Sequence, residues 1–257
     1  MASSIKSSKE SYKKVKTILV SQPKPERSPY YHLEQKWDIK IEWRQFIHVE
    51  PVTEKEFRKN RLRPDEFTAI IFTSKLSIEH FFRLCEEMRV KMSMQTKYFC
   101  LTEAIANYLQ KFIIYRKRKV FVGTRKIEDL QNSFNKHSGE KFLLPCSNLG
   151  AKRVVAFLKT NELDYQEAMM YRTVASDLSD LSNVTYDILV FFSPLGIESL
   201  YENFPDFKQN NTRLAIFGKS TNKAVVDRGL TTNILAPTPE TPSMSMALEE
   251  YLKKSNK

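Results

Sequence analysis

At 257 residues, with 41% hydrophobic and 28% charged content, the chain is long enough for one large domain or two ordinary ones, and apolar enough to bury a real core; wholesale disorder is excluded. No apolar run approaches the roughly 20 residues of a membrane-crossing helix, and the leader MASSIKSSKESYKKVK has no apolar stretch long enough for a signal peptide, so a soluble cytoplasmic protein without a membrane partner is expected. The net charge of +11 invites a polyanion, whether nucleic acid, a membrane surface or a small molecule with several carboxylates, although part of the excess lies in a Ser/Lys-rich leader that predicts a flexible tail over residues 1–16.

From residue 17 onward, short apolar runs alternate with stretches of helical spacing. The strand-like runs are TILVS (17–21), IKIEW (39–43), TAIIFTS (68–74), KYFCL (97–101), KVFVG (119–123), KFLLPC (141–146), EAMMYRTV (167–174), DILVFFS (187–193), RLAIFG (213–218) and TNILA (232–236). Several are nearly unbroken Val, Ile, Leu and Phe, as strands buried on both faces of a parallel sheet are. Between them, Ile78, Phe81, Phe82 and Cys85 share one helical face, as do Ile105, Tyr108, Leu109 and Ile113, and Val154, Val155 and Leu158. The alternation predicts an α/β fold, and there are more strands than one small sheet holds, so two domains with mostly parallel sheets are expected. The stretch TAIIFTSKLSIEHFF also echoes DILVFFSPLGIESLY, as if one βα unit were used twice.

The reactive inventory is sparse. Cys85, Cys100 and Cys146 lack metal spacing and read as buried thiols; His32, His48, His80 and His137 show no ligand pairing. No metal and no cofactor is expected. The basic run Arg116–Lys119 reads as a solvated strand start, and no base-reading motif supports nucleic acid as a partner. No GxGxxG or phosphate-loop pattern occurs, and the chain has six glycines in all.

A parallel α/β sheet places its ligand site at the carboxyl ends of its strands. Here those ends are rich in hydroxyls: Thr73 and Ser74, Thr102, Ser147, Ser193, Ser220 and Thr221, and Thr238. Ser and Thr also serve as helix N-caps. As a set, however, hydroxyls beside helix N-termini suit a ligand bearing many carboxylates, because free N–H groups and a partial positive charge lie there. Two domains with such joints facing each other would make a cleft for it.

Several of these joints resemble the uroporphyrinogen-III synthase family. FLLPCSNLGAKRVVAFLKTNELDYQEAMMYRTV is similar to the family's strand, helix and strand ending in Tyr before Thr-Val; VFFSPLGIESL to its Phe-Ser-Pro strand end; RLAIFGKSTNKAVVDRGL to its Ile-Gly-x-x-Thr pattern; IIFTSKLSIEHFF and ILAPTPETPSMSMAL to its first-half and C-terminal loops. The order and spacing carry the resemblance, which runs from about Thr17 to about Leu252. Departures fall at Ser21-Gln22-Pro23 in place of Thr-Arg, Thr102 in place of Gly, Ile105 in place of Thr, and Ala151 in place of Arg.

The resemblance implies two α/β domains joined by a short two-stranded connection: 17–43 with 173–257, and 51–168, with crossings at 44–50 and 169–172. It implies a monomeric, cofactor-free lyase of heme biosynthesis that dehydrates and cyclises hydroxymethylbilane with inversion of the last pyrrole. The upstream hydroxymethylbilane synthase would be a partner. Tyr171 would assist departure of the hydroxyl as the catalytic residue. Thr73, Ser74, Thr102, Ser147, Ser193, Gly218, Ser220, Thr221 and Thr238 would bind substrate carboxylates. The alternative is a non-catalytic tetrapyrrole- or polyanion-binding protein of the same fold.

Overall fold

The computed structural model describes residues 12–257. In chain order its regular elements are β1 Thr17–Val20, α1 Tyr31–Trp37, β2 Lys40–Trp43, β3 Ile47–Pro51, α2 Glu54–Arg58, β4 Ala69–Phe72 and α3 Lys75–Glu87. There follow β5 Lys97–Cys100, α4 Glu103–Leu109, β6 Val120–Val122, α5 Gln131–Lys136, β7 Phe142–Ser147, α6 Lys152–Thr160 and β8 Tyr165–Ala175. The last part holds β9 Ile188–Phe191, α7 Pro194–Asn203, β10 Arg213–Phe217, α8 Lys219–Asp227, β11 Thr232–Ala236 and α9 Met244–Ser255. Each strand-like run of the sequence is a strand. The chain divides into two compact units: the chain up to His48 together with Val174–Lys257, and Val49–Thr173.

The first unit is built on a five-stranded sheet in the order β11-β10-β9-β1-β2, with its neighbouring strands parallel. Its apolar strands are buried on both faces because side chains alternate across a sheet. Ile18 and Val20 join one core layer with α9, while Leu19 joins the other with Ile197 and Leu200 of α7.

The second unit has a six-stranded sheet in the order β3-β8-β7-β4-β5-β6, parallel from β8 to β6. Here Ile70 and Phe72 pack under α3 and α4, and Ala69 and Ile71 under α5 and α6. On α3 the predicted Ile78, Phe81 and Cys85 are buried together with Leu84, while Phe82 is half-buried; full burial of such apolar side chains is worth roughly 1.5–3 kcal/mol each. The strand runs β4-β5-β6 and β9-β10-β11 repeat the same parallel neighbour order, which gives the echo in the sequence a structural form.

Two readings change. Residues 1–11 of the expected flexible tail lie outside the described residues, but 12–16 are anchored. Val15 is fully buried, and its backbone N–H and C=O are both held by the side chain of Asn256. The helix predicted through Ile113 stops at Leu109, where Lys111 and Phe112 N–H groups turn back to the Tyr108 and Leu109 carbonyls. This tighter turn lets Phe112 stack on Phe82, centroids 5.0 Å apart. At the expected two-stranded connection, strand β3, which overlaps 44–50, lies beside β8, which contains 169–172. Among the described residues, no helix is long and apolar enough to cross a membrane.

Candidate functional site

In the unit Val49–Thr173, the carboxyl edge of the sheet runs from Tyr171 on β8 through Ser147 at the end of β7 and Thr73–Ser74 after β4 to Thr102 after β5. Ser147 pairs with Tyr171 across a register shift that follows Cys146. Ser74 is the N-cap of α3: its hydroxyl accepts from Ser77 N–H at 3.0 Å, and the Ser77 hydroxyl accepts from Ser74 N–H. Thr102 caps α4 by accepting from Ile105 N–H. Ser147 accepts from Leu149 N–H in a tight turn. Thr73 is half-buried beside the cap. Three of these hydroxyls therefore do capping or turn work, and each keeps its own proton to donate.

Tyr171 is 8% exposed, and its hydroxyl lies 3.4 Å from that of Ser74. Ser74 has one lone pair left after accepting from Ser77 N–H, so either hydroxyl can be the donor of this contact. The ring is held by His80 of α3, which stacks on it with centroids 4.8 Å apart and planes at 20°. His80 Nδ1 is buried without a hydrogen-bond partner. Desolvation, then the neighbouring Arg83 charge, pushes His80 below its ordinary value of 6.5, so the imidazole is held neutral. Arg83 fastens α3 to the strand, donating to the carbonyls of Val52 and Met170 at 2.8 and 3.3 Å. On the other side, Asn148 exchanges hydrogen bonds with the Thr173 backbone.

Sequence reasoning misses the roles of His80 and Arg83. For His80 the sequence shows only that it lacks a ligand pairing. Its position six residues past the Ser74 cap, on the helix that covers Tyr171, leaves no local signature.

In the other unit, the carboxyl edge brings together Thr238 after β11, Gly218–Thr221 after β10 and Ser193 after β9. Ser193 caps α7, accepting from Gly196 N–H at 3.3 Å with Pro194 opening the helix. Gly218 sits at φ 91° and ψ 151°, a region that is essentially glycine-only. It starts α8 without a side-chain cap, so free N–H groups remain at that tip. Ser220 is exposed there. Thr221 is 1% exposed, and its buried Oγ1 has no hydrogen-bond partner in the protein. Such an orphaned hydroxyl is costly unless a ligand or water completes it. Thr238 is engaged in its own turn, its hydroxyl accepting from Thr241 N–H and lying 2.9 Å from the Thr241 hydroxyl.

The thiols of Cys85, Cys100 and Cys146 are buried, and desolvation raises the first two to about 12 and the third to about 11, which leaves them poor nucleophiles at neutral pH. Among the described residues no group of three or more His, Cys, Asp or Glu could hold a metal ion.

With that geometry in hand, comparison with known proteins is decisive for the family. The family model described as Uroporphyrinogen-III synthase HemD matches residues 45–245. This chain belongs to the uroporphyrinogen-III synthase family. Among solved structures, it resembles the uroporphyrinogen-III synthetase from Helicobacter pylori, with 18% identity, TM-score 0.58, and 93% of this chain and 100% of that one covered. It also resembles a mutant uroporphyrinogen III synthase from the extremely thermophilic bacterium Thermus thermophilus, with 13% identity, TM-score 0.57 and the same coverage. At these identities the likeness concerns the fold: two units with mostly parallel sheets. No curated protein matches the chain significantly in sequence. The departures from the family pattern take a structural place here. Ile105 and Thr221 both occupy the third position of the helix after the second strand of their repeat, α4 and α8, so one tip is apolar where its counterpart carries the orphaned hydroxyl.

Proposed function

We propose that this chain acts as a uroporphyrinogen-III synthase of tetrapyrrole biosynthesis, a cytoplasmic hydro-lyase that converts hydroxymethylbilane, the product of hydroxymethylbilane synthase, to uroporphyrinogen III. The observation that carries this reading is the Tyr171 hydroxyl, 3.4 Å from that of Ser74, at a strand end lined by hydroxyl residues in a chain of this family. Tyr171 gives its proton to the departing hydroxyl, which leaves as water. The last pyrrole is attacked at its substituted carbon, passes through the spiro intermediate and closes inverted. The proton lost from the ring at closure restores the phenol.

The bilane ionises readily and closes by itself to the uninverted isomer, so the larger demand on the protein is to hold a floppy polyacid in one geometry. The α8 tip is fitted to this, because free N–H groups, the Thr221 hydroxyl and Ser220 all offer hydrogen bonds to a carboxylate. Thr73, Ser74, Thr102 and Ser147 would offer hydrogen bonds to acetate and propionate groups at the strand ends of the Val49–Thr173 unit, and Ser193 and Thr238 would flank the α8 tip.

The test is an isomer-resolved assay on hydroxymethylbilane. Type III product in excess of the spontaneous type I isomer supports the proposal. Type I alone, with uroporphyrinogen still bound, would instead establish the non-catalytic binding protein, a reading that buried Ile105 at the α4 tip favours.

A further inference from the structure

The Val49–Thr173 unit has a second concave site, at the other end of its sheet. A hollow of about 450 Å³ opens at the amino ends of β5 and β6, away from Thr73 and Thr102. Its volume falls in the roughly 300–1,000 Å³ of small-molecule sites. The stacked pair Phe82 and Phe112, together with Val120, forms an apolar wall. Two buried hydroxyl residues line it as well: Thr96, 3% exposed, and Tyr98, 4% exposed. Neither hydroxyl has a hydrogen-bond partner among the described residues, although Tyr98 is held by stacking on Phe72. Burial raises Tyr98 well above the usual phenol range, so it stays a donor.

The rim is basic. Lys91 and Arg116 line the hollow and form no ion pair among the described residues, whereas Glu86 is the one acid in the lining. Lys119 is turned aside, its ammonium donating to the Gln95 carbonyl and side chain at 3.2 and 2.8 Å. The basic run Arg116–Lys119 thus contributes to a concave surface with an apolar interior, which is unlike the extended cationic track that a nucleic-acid backbone needs.

We propose that this hollow is a ligand site, separate from the carboxyl-edge site, for a small molecule with a flat apolar body and a single carboxylate. The body lies against Phe82, Phe112 and Val120. The carboxylate meets Lys91 and Arg116, and the orphaned hydroxyls of Thr96 and Tyr98 supply the remaining hydrogen bonds. A neutral molecule would leave both cations without a counter-charge, and a polyacid would carry charge into the apolar interior.

The full chain is titrated with 2-naphthoate and, separately, with 2-naphthylmethanol, by calorimetry and ligand-detected NMR. Saturable one-to-one binding of the acid is expected. The Lys91→Gln/Arg116→Gln double variant should weaken the acid at least fivefold and leave the alcohol unchanged. Tyr98→Phe should weaken the acid about threefold without lowering the melting temperature. Met92→Trp, at a half-buried residue of the otherwise exposed loop that lines the hollow, should abolish binding of both probes in a protein whose circular dichroism is unaltered. Tyr171→Phe should leave 2-naphthoate affinity as it was. Absence of saturable binding at millimolar 2-naphthoate would overturn the proposal. So would equal weakening of acid and alcohol by the double variant, or binding that survives both Met92→Trp and the double variant.

Discussion

The imidazole of His80 lies on the ring of Tyr171, 4.8 Å between centroids and 20° between planes, with its buried Nδ1 unpartnered. The stack fixes the tyrosine ring by contact with a neutral surface, with its hydroxyl 3.4 Å from that of Ser74.

Tyr171→Phe keeps that stack and removes the proton. Formation of the type III isomer should slow at least about tenfold, the lower end of what a lost proton donor costs. The melting temperature should change little, since the contact to Ser74 at 3.4 Å is long for a hydroxyl pair. Unchanged turnover in the isomer-resolved assay would remove Tyr171 from the reaction.

His80 makes stability depend on pH. Its folded value lies below the ordinary 6.5 because burial and Arg83 disfavour the cation, Glu79 opposing them. On acidification through and below 6.5 the unfolded chain therefore takes up a proton before the folded chain does, and stability falls as pH falls. Thermal melts between pH 7.5 and 5.5 should show a steeper loss in the wild type than in His80→Phe, which keeps the aromatic contact and cannot titrate. Parallel slopes would refute the assignment.

Thr221→Val replaces an orphaned buried hydroxyl by a methyl group of the same shape. Stability should hold or rise by about 1 kcal/mol, since an unsatisfied buried polar atom costs on that order. Affinity for uroporphyrinogen III should fall. A clear drop in melting temperature with affinity retained would make Thr221 structural. Ser193→Ala offers the contrast: it removes the α7 cap and should cost roughly 0.5–2 kcal/mol.

Gly218→Ala tests the α8 tip through its backbone. No atom within 4 Å would meet the new Cβ, so crowding is not the issue. The φ of 91° is, and the strain should be about 1–3 kcal/mol. Differential scanning calorimetry should show that loss; an unaltered transition would mean that the turn relaxes freely.

How much of this can be read from the residues depends on how local the cause is. Strands such as Ala69–Phe72 and Ile188–Phe191 announce themselves because every side chain in them is buried. Caps at Ser74 and Ser193 follow from a hydroxyl at the junction of strand and helix. The short helices α1, α2 and α5 carry too few turns to show a period. The end of α4 is hidden because Ile113 keeps helical spacing although the chain has already turned. The Tyr171–Ser74 contact joins residues 97 positions apart, and the His80 stack is of the same kind; no window of sequence contains both partners. Val15 reads as tail because Asn256, the residue that holds it, is at the far end of the chain.

The pairing of β1 with β9, Ile18 facing Ile188, has a bearing on synthesis. Between these neighbours the ribosome must emit the whole of Val49–Thr173, which at about 5–20 residues per second takes roughly 6 to 25 seconds. Throughout that interval the earliest strand has only β2 beside it, while the inserted half has everything it needs to close on itself. A chain released early, just past residue 173, would carry one finished sheet and a pair of strands with no core to join. Completion of the molecule is therefore decided by its final third.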